Sequence, residues 1–281
     1  MMRLALCNEV LGAMPLARQC ALARSLDYDA LEITPSTLAD DPATIGASRA
    51  AEIRRTIEDA GLAVSGLHWL LVKPAGLSLT ARDAAVRHRT LDIMKRLCEL
   101  CARLGGAVLV HGSPAQRAIG EGDTLDIARA RLVEALAAVA PIAGDNGVVY
   151  CLEPLSRRET PLVNTVAEAA AIVRAIAHPA LRTMIDCSAA GQTESEPVPA
   201  LIDRWLPTGL VAHIQVNDPN RRAPGQGDMR FAPIAAALRR NGYAGTVAVE
   251  PFDYVPDGPG AAAFAAGYWR GVCEAAEAVR P

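Results

Sequence analysis

The sequence predicts an α/β protein, a single (β/α)8 TIM barrel spanning residues 1–281. Three observations carry this. Short apolar runs recur eight times along the chain, and helix-like stretches alternate with them. Strand alternating with helix implies parallel strands joined by helical crossovers. The length of 281 residues suits one barrel, typically roughly 250 residues. Five or six such units would have pointed to an open sheet instead. No repeat or low-complexity linker divides the chain, so one domain is expected.

The elements follow in order. The first apolar run is 4–7, and a helical stretch at 16–26 leads to the second run at 30–33. A helix at 49–60 precedes the third run, 62–67, and a long helix from about 80 to 104 precedes the fourth, 107–110. A helix at 126–143 leads to the fifth run, 147–152, and one at 166–177 leads to the sixth, 181–185. The seventh run is 210–216, and the eighth, 246–249, follows a helix at 233–240. Glycines stand before several strands, at Gly61, Gly105, Gly106, Gly147, Gly209, Gly242 and Gly245, which is the expected stop chemistry for helices.

Composition removes several classes of function. Half the residues, 51%, are hydrophobic and only 4% aromatic, which favours a helix-covered sheet over an aromatic-rich sandwich. The net charge is −3 with no basic run, so no nucleic-acid surface is expected. Seven scattered cysteines read as reduced, mostly buried thiols of a cytoplasmic protein. The start, MMRLALCNEV, lacks the apolar core and cleavage site of a leader, and no run reaches the roughly 18 apolar residues of a membrane helix.

Barrel active sites sit where strands end at the C-terminal rim. The apolar runs here repeatedly meet an ionisable or amide side chain at that point. Strand one ends in Asn8 and Glu9, strand two carries Glu32, strand three meets His68 and Trp69, and strand four meets His111. Strand five ends in Glu153, strand six in Asp186 and strand eight in Glu250, while strand seven presents His213, Gln215 and Asn217. Three carboxylates facing one another in a low-dielectric mouth repel strongly. One divalent cation removes the conflict. Carboxylate and amide oxygens suit Mg2+ or Mn2+, and a neighbouring imidazole extends the choice to Co2+. A single rim carboxylate could equally be held by an arginine or a backbone NH; four successive strand ends argue against that.

The motifs CLEPL at 151–155, MIDCSAAG at 184–191, HIQVNDPNRRAPGQGD at 213–228 and VAVEPF at 247–252 resemble the xylose-isomerase-like TIM-barrel superfamily. The pattern is most similar to tagatose/psicose 3-epimerases and hydroxypyruvate isomerases. It covers essentially the whole chain and is strongest from strand five onward. The resemblance implies metal ligands at Glu153, Asp186, Gln215 and Glu250. The epimerases carry H-x-H in strand seven, with the second His on the metal, where this chain reads His213-Ile214-Gln215. Residues two apart on a strand face the same side, so both could point inward. The spacing to Asn220-Arg221 and to Pro224-Gly225-Gln226-Gly227 favours Gln215 as ligand with His213 beside it, as in hydroxypyruvate isomerases.

The family mechanism then implies a substrate with adjacent carbonyl and hydroxyl oxygens chelated by the metal. An enediolate forms, and Glu153 and Glu250 act as the pair that removes and returns the proton. Glu159 and Arg221 match substrate-holding positions, and His68, His111, His213 and Trp69 are further candidates to touch substrate. One departure stands out. The epimerases usually have a His three residues after the strand-six Asp, and this chain has Ala189.

Other features have plain readings. Cys98 and Cys101 lie in an apolar-periodic helix without a partner pair, and read as packing. His88 and His178 read as surface polar residues. Gly225 and Gly227 read as a tight turn, since the full phosphate-loop spacing is missing. A metal-dependent isomerase or epimerase of a small sugar or hydroxycarbonyl compound is therefore expected. The alternatives are a lyase of the inosose-dehydratase type, sharing the same enolising step, and a non-catalytic sugar-binding protein on the same fold. A nuclease of the AP-endonuclease kind needs a His-rich zinc site and a basic surface, and five His with a net acidic balance argue against it. The expected partner is a small sugar-like molecule, and a homo-oligomer, dimer or tetramer, fits the same picture.

Overall fold

Eight parallel strands close into a barrel in sequence order, β1 through β8, with β1 pairing β8. The computed structural model describes residues 2–278; Met1 and residues 279–281 of the expected span lie outside it. The strands are β1 (Arg3–Cys7), β2 (Ala30–Ile33), β3 (Ala63–Leu67), β4 (Val108–His111), β5 (Val149–Leu152), β6 (Leu181–Asp186), β7 (Val211–Val216) and β8 (Thr246–Val249). The α-helices are α1 (Leu16–Ser25), α2 (Ala47–Asp59), α3 (Ala84–Leu104), α4 (Leu125–Asp145), α5 (Val166–Ile176), α6 (Cys187–Thr193), α7 (Val198–Trp205), α8 (Phe231–Arg240) and α9 (Gly258–Ala278).

All eight expected strands form, most of them within two residues of the expected bounds. Helix α3 starts at Ala84, four residues later than expected, because the Asp83 side chain accepts from Ala85 N and caps it there. It stops at Gly105, whose left-handed φ of 82° suits glycine. Helices α6, α7 and α9 carry no expectation from the sequence. Two short helices and a Pro197 break replace one crossover between β6 and β7, so no single apolar period spans that segment.

Strands buried on both faces explain the unbroken apolar runs. Outside the sheet, one continuous core fills the space between strands and helices. Inside the barrel, Val110, Cys151 and Met184 form a small apolar plug, with Val149 and Ala212 packed on it. All seven cysteines are buried, Cys98 and Cys101 among them on α3. Gly66 permits β3 to approach β4, since a Cβ there would lie 2.3 Å from the Val108 carbonyl oxygen. Among the described residues no helix is long and apolar enough to cross a membrane.

Candidate active site

The last four strands deliver their polar residues to one place at the barrel's C-terminal rim. Glu153 follows β5 directly, Asp186 ends β6, Gln215 lies near the end of β7, and Glu250 follows β8. Carboxylate oxygens of Glu153, Asp186 and Glu250 lie within 4.8 Å of one another, and all three residues are buried. Burial and mutual repulsion therefore set their protonation. Burial, with Glu250 and Asp186 adding repulsion, raises the Glu153 carboxyl well above the usual range. Burial pushes Asp186 up to about 7, although the Ala189 backbone NH works the other way. Burial likewise pushes Glu250 up to about 8, against the pull of His68.

The donor chemistry fits a hard divalent cation. Asp186 Oδ2, Gln215 Oε1 and Glu250 Oε2 are all buried without a hydrogen-bond partner. Their partnered ends are tied elsewhere. Asp186 Oδ1 accepts from Ala189 N at 2.6 Å as it caps α6, and Glu250 Oε1 meets His68 Nδ1 at 2.8 Å. Gln215 donates its Nε2 to Glu32 Oε1 at 2.9 Å. Buried, orphaned oxygens beside raised carboxylates are costly in a finished protein and are relieved by a cation. Glu153, Asp186, Gln215 and Glu250 could thus hold one Mg2+ or Mn2+ with oxygen alone.

Beside the three carboxylates lies a cavity of about 350 Å³, which Gln215 does not line. Trp69, Glu159, Ala189, Arg221 and Phe252 line it together with the three carboxylates. Glu159 accepts from Ser156 Oγ at 2.7 Å and from Ser156 N, which fixes its carboxylate in the loop after β5. Arg221 has a left-handed backbone, φ 70°, and its carbonyl accepts from both Phe252 N and Asp253 N. Its guanidinium stands 4.7 Å over the Phe252 ring, and Trp69 meets the same ring edge-on at 6.1 Å.

The histidines lie elsewhere. None of His68, His111 and His213 is among the residues lining the cavity. His68 is fully buried, and its ring bridges Glu250 through Nδ1 and Glu9 through Nε2, at 2.8 and 2.9 Å. Burial favours its neutral form, but the acids around it, Cys7, Glu9 and Glu250, hold its pKa well above the ordinary value. His213 Nε2 is 2.9 Å from Glu32 Oε2. His111 Nδ1 meets the Tyr150 hydroxyl at 2.9 Å, and burial lowers its pKa to about 3, so it is neutral. His88 is exposed and His178 half-buried.

Other residues at the centre were not singled out as site residues by the sequence. Arg117 is fully buried behind Glu153 and donates Nη2 to its carbonyl oxygen at 2.8 Å. A lone arginine in a loop gives no signal of this. Asn217 donates to the Glu250 carbonyl at 2.9 Å and accepts from Ser188 N at 2.8 Å, tying β7 to the ends of β6 and β8. Gly112 stands against Glu153. Gly225 and Gly227 form a turn whose Gly227 NH is already given to Asp218 at 3.0 Å.

Comparison with known proteins finds relatives that share this fold. A family model described as xylose isomerase-like TIM barrel matches residues 20–271. A D-psicose 3-epimerase of Agrobacterium fabrum is 31% identical over 214 residues, covering 72% of this chain and 68% of the relative. An L-ribulose 3-epimerase of Mesorhizobium japonicum is 28% identical over 241 residues, covering 84% and 75%. The solved structure of an L-ribulose 3-epimerase superposes with a TM-score of 0.84 at 24% identity, covering 99% of this chain and 96% of that one.

Proposed function

The chain belongs to the xylose isomerase-like TIM-barrel family, and on that premise we propose that it is a divalent-metal-dependent epimerase or isomerase of a small sugar or sugar-like hydroxycarbonyl compound. The observation that carries this is the convergence of Glu153, Asp186 and Glu250 within 4.8 Å, at a cavity of about 350 Å³ that suits a small polyol. The curated relatives are psicose and ribulose 3-epimerases, which supports sugar epimerisation over loss of water.

Glu153, Asp186, Gln215 and Glu250 would hold the ion. When bound, a divalent cation supplies Lewis-acid polarisation of a substrate carbonyl. The chain's own residues do the rest. Glu153 and Glu250 come from strands β5 and β8, so they approach the cavity from different sides. One takes the proton from the carbon beside the carbonyl, leaving an enediolate. The other returns a proton to the opposite face for epimerisation, or to the neighbouring carbon for isomerisation. Glu159 and Arg221 would hydrogen-bond substrate hydroxyls, and Trp69 with Phe252 would shield one wall from water. His68 restrains Glu250 through a 2.8 Å contact. A reducing compartment such as the cytoplasm suits the seven buried cysteines.

The test combines metal content with isotope exchange. Protein purified without chelator should carry about one divalent ion per chain by the coordination argument. It should wash deuterium from the carbon beside the carbonyl in at least one of psicose, tagatose, ribulose or hydroxypyruvate. Protein that takes up no Mn2+ and leaves the label in place throughout the panel would overturn the reading.

A further inference from the structure

Gln215 differs from the three carboxylates in one respect. Its amide has an oxygen that attracts a cation and an NH2 group that repels one. The strand backbone does not choose between them. A flip of the terminal amide exchanges the two ends at almost no steric cost. Something else must decide which end is presented.

Glu32 makes that choice. It lies on β2 and Gln215 on β7, strands that are not neighbours, so their hydrogen bond crosses the barrel interior. Glu32 is fully buried, and four donors converge on its carboxylate. An ionised carboxylate only accepts hydrogen bonds. It accepts from Gln215 Nε2 at 2.9 Å, His213 Nε2 at 2.9 Å, Ser65 Oγ at 3.3 Å and Cys7 Sγ at 3.9 Å. A flipped Gln215 would set its carbonyl oxygen against this anion, with no donor left to separate them. It would also turn NH2 towards the orphaned end of the site, where Oε1 now stands buried and unpartnered.

We propose that Glu32 is a positioning residue that locks the Gln215 amide with its oxygen turned to the metal centre and, through the same carboxylate, holds His213 away from it. The inference rests on the metal-dependent reading of the site. The donor set becomes all oxygen, which favours Mg2+ or Mn2+ over softer ions that prefer imidazole. An orienting partner of this kind is worth about 10–100-fold in metal affinity.

The test is a double-mutant cycle read by Mn2+ binding, using titration calorimetry on the full chain. Glu32→Gln can present NH2 to Gln215, so the amide is free to flip, and Mn2+ affinity should fall about 10–100-fold. Gln215→Leu removes the oxygen and should also weaken binding. The double variant should bind no more weakly than Gln215→Leu, because Glu32 acts only through Gln215. Full additivity overturns the proposal. Glu32→Asp, which keeps the charge but shortens the reach, takes the place of Glu32→Gln in the cycle if that variant does not fold. A second readout needs no variant: pulsed EPR of the Mn2+-loaded wild type should show no directly coordinated histidine nitrogen, and its presence overturns the proposal. Wild type that binds no Mn2+ at all overturns the metal reading itself, an outcome distinct from additivity in a protein that binds it tightly.

Discussion

A Cβ built on Gly112 would stand 1.7 Å from Glu153 Oε2, so the residue after β4 and the carboxylate after β5 occupy one continuous volume. Only hydrogen at position 112 lets the Glu153 side chain lie where it meets Asp186 and Glu250. The clash is with the far end of a flexible side chain, so the fold can relax by moving the carboxylate. Gly112→Ala should therefore keep its melting temperature close to that of wild type in the presence of chelator. Turnover should fall by roughly 10²-fold, the scale of an ångström-sized misplacement at a reacting group. An unaffected kcat in a well-folded variant would show that the position of Glu153 is not critical.

The two glutamates divide the labour. Glu153→Gln and Glu250→Gln each keep an oxygen donor and remove the base. Mn2+ binding should weaken but persist at high concentration, and turnover should drop by about 10²–10⁴. Deuterium washout from substrate distinguishes them: the variant that still exchanges retains the residue that abstracts the proton. Near-wild-type turnover in both, with metal bound, would move the chemistry to other groups.

Asp186 makes the metal-free protein less stable as pH rises from about 4 to about 7. Its carboxyl is held at about 7 in the fold, against about 3.9 in an unfolded chain. Between those values the folded state keeps a proton that the unfolded state releases, so stability is full at low pH and is lost as pH rises through about 7. Asp186→Asn removes that ionisation while the side chain can still cap Ala189. In chelator, the melting temperature of the variant relative to wild type should climb across this window and level off above it. Mn2+ should stabilise wild type increasingly with pH, because the carboxyl must lose its proton to bind. A pH-independent difference in chelator contradicts the assignment.

Ala189 lines the cavity where the epimerase pattern has histidine. Without that donor the enzyme should act poorly on free psicose and tagatose. Ala189→His should raise kcat/KM on these ketohexoses about tenfold, the worth of one good hydrogen bond to a substrate oxygen. Efficient wild-type epimerisation of either sugar, or no gain in the variant, would locate the specificity elsewhere in the cavity.

Much of the site is legible in sequence because a parallel strand announces itself as an apolar run, and its first polar residue marks the rim. Glu153, Asp186 and Glu250 can be read this way one strand at a time. Trp69 and Arg221 also reach the cavity from loops that the same reasoning places at the rim. Period-two alternation puts His213 and Gln215 on one side but is silent about depth. His213 lies two residues earlier, roughly 6–7 Å deeper along the strand. Both side chains meet the Glu32 carboxylate, and neither lines the cavity. His68 and His111, also read as substrate contacts, face other side chains, Glu250 with Glu9 and Tyr150.

The sequence by itself determined the barrel, its eight strands and the acidic rim of the last four, because hydrophobic period and strand-end polarity are local properties of a chain. Tertiary structure alone decided the pairs Glu32 with Gln215, His68 with Glu250, and Gly112 with Glu153. The first two join side chains 183 and 182 residues apart. No local pattern encodes them, since they exist only once β1 and β8 meet and the closed barrel brings distant strands across one interior.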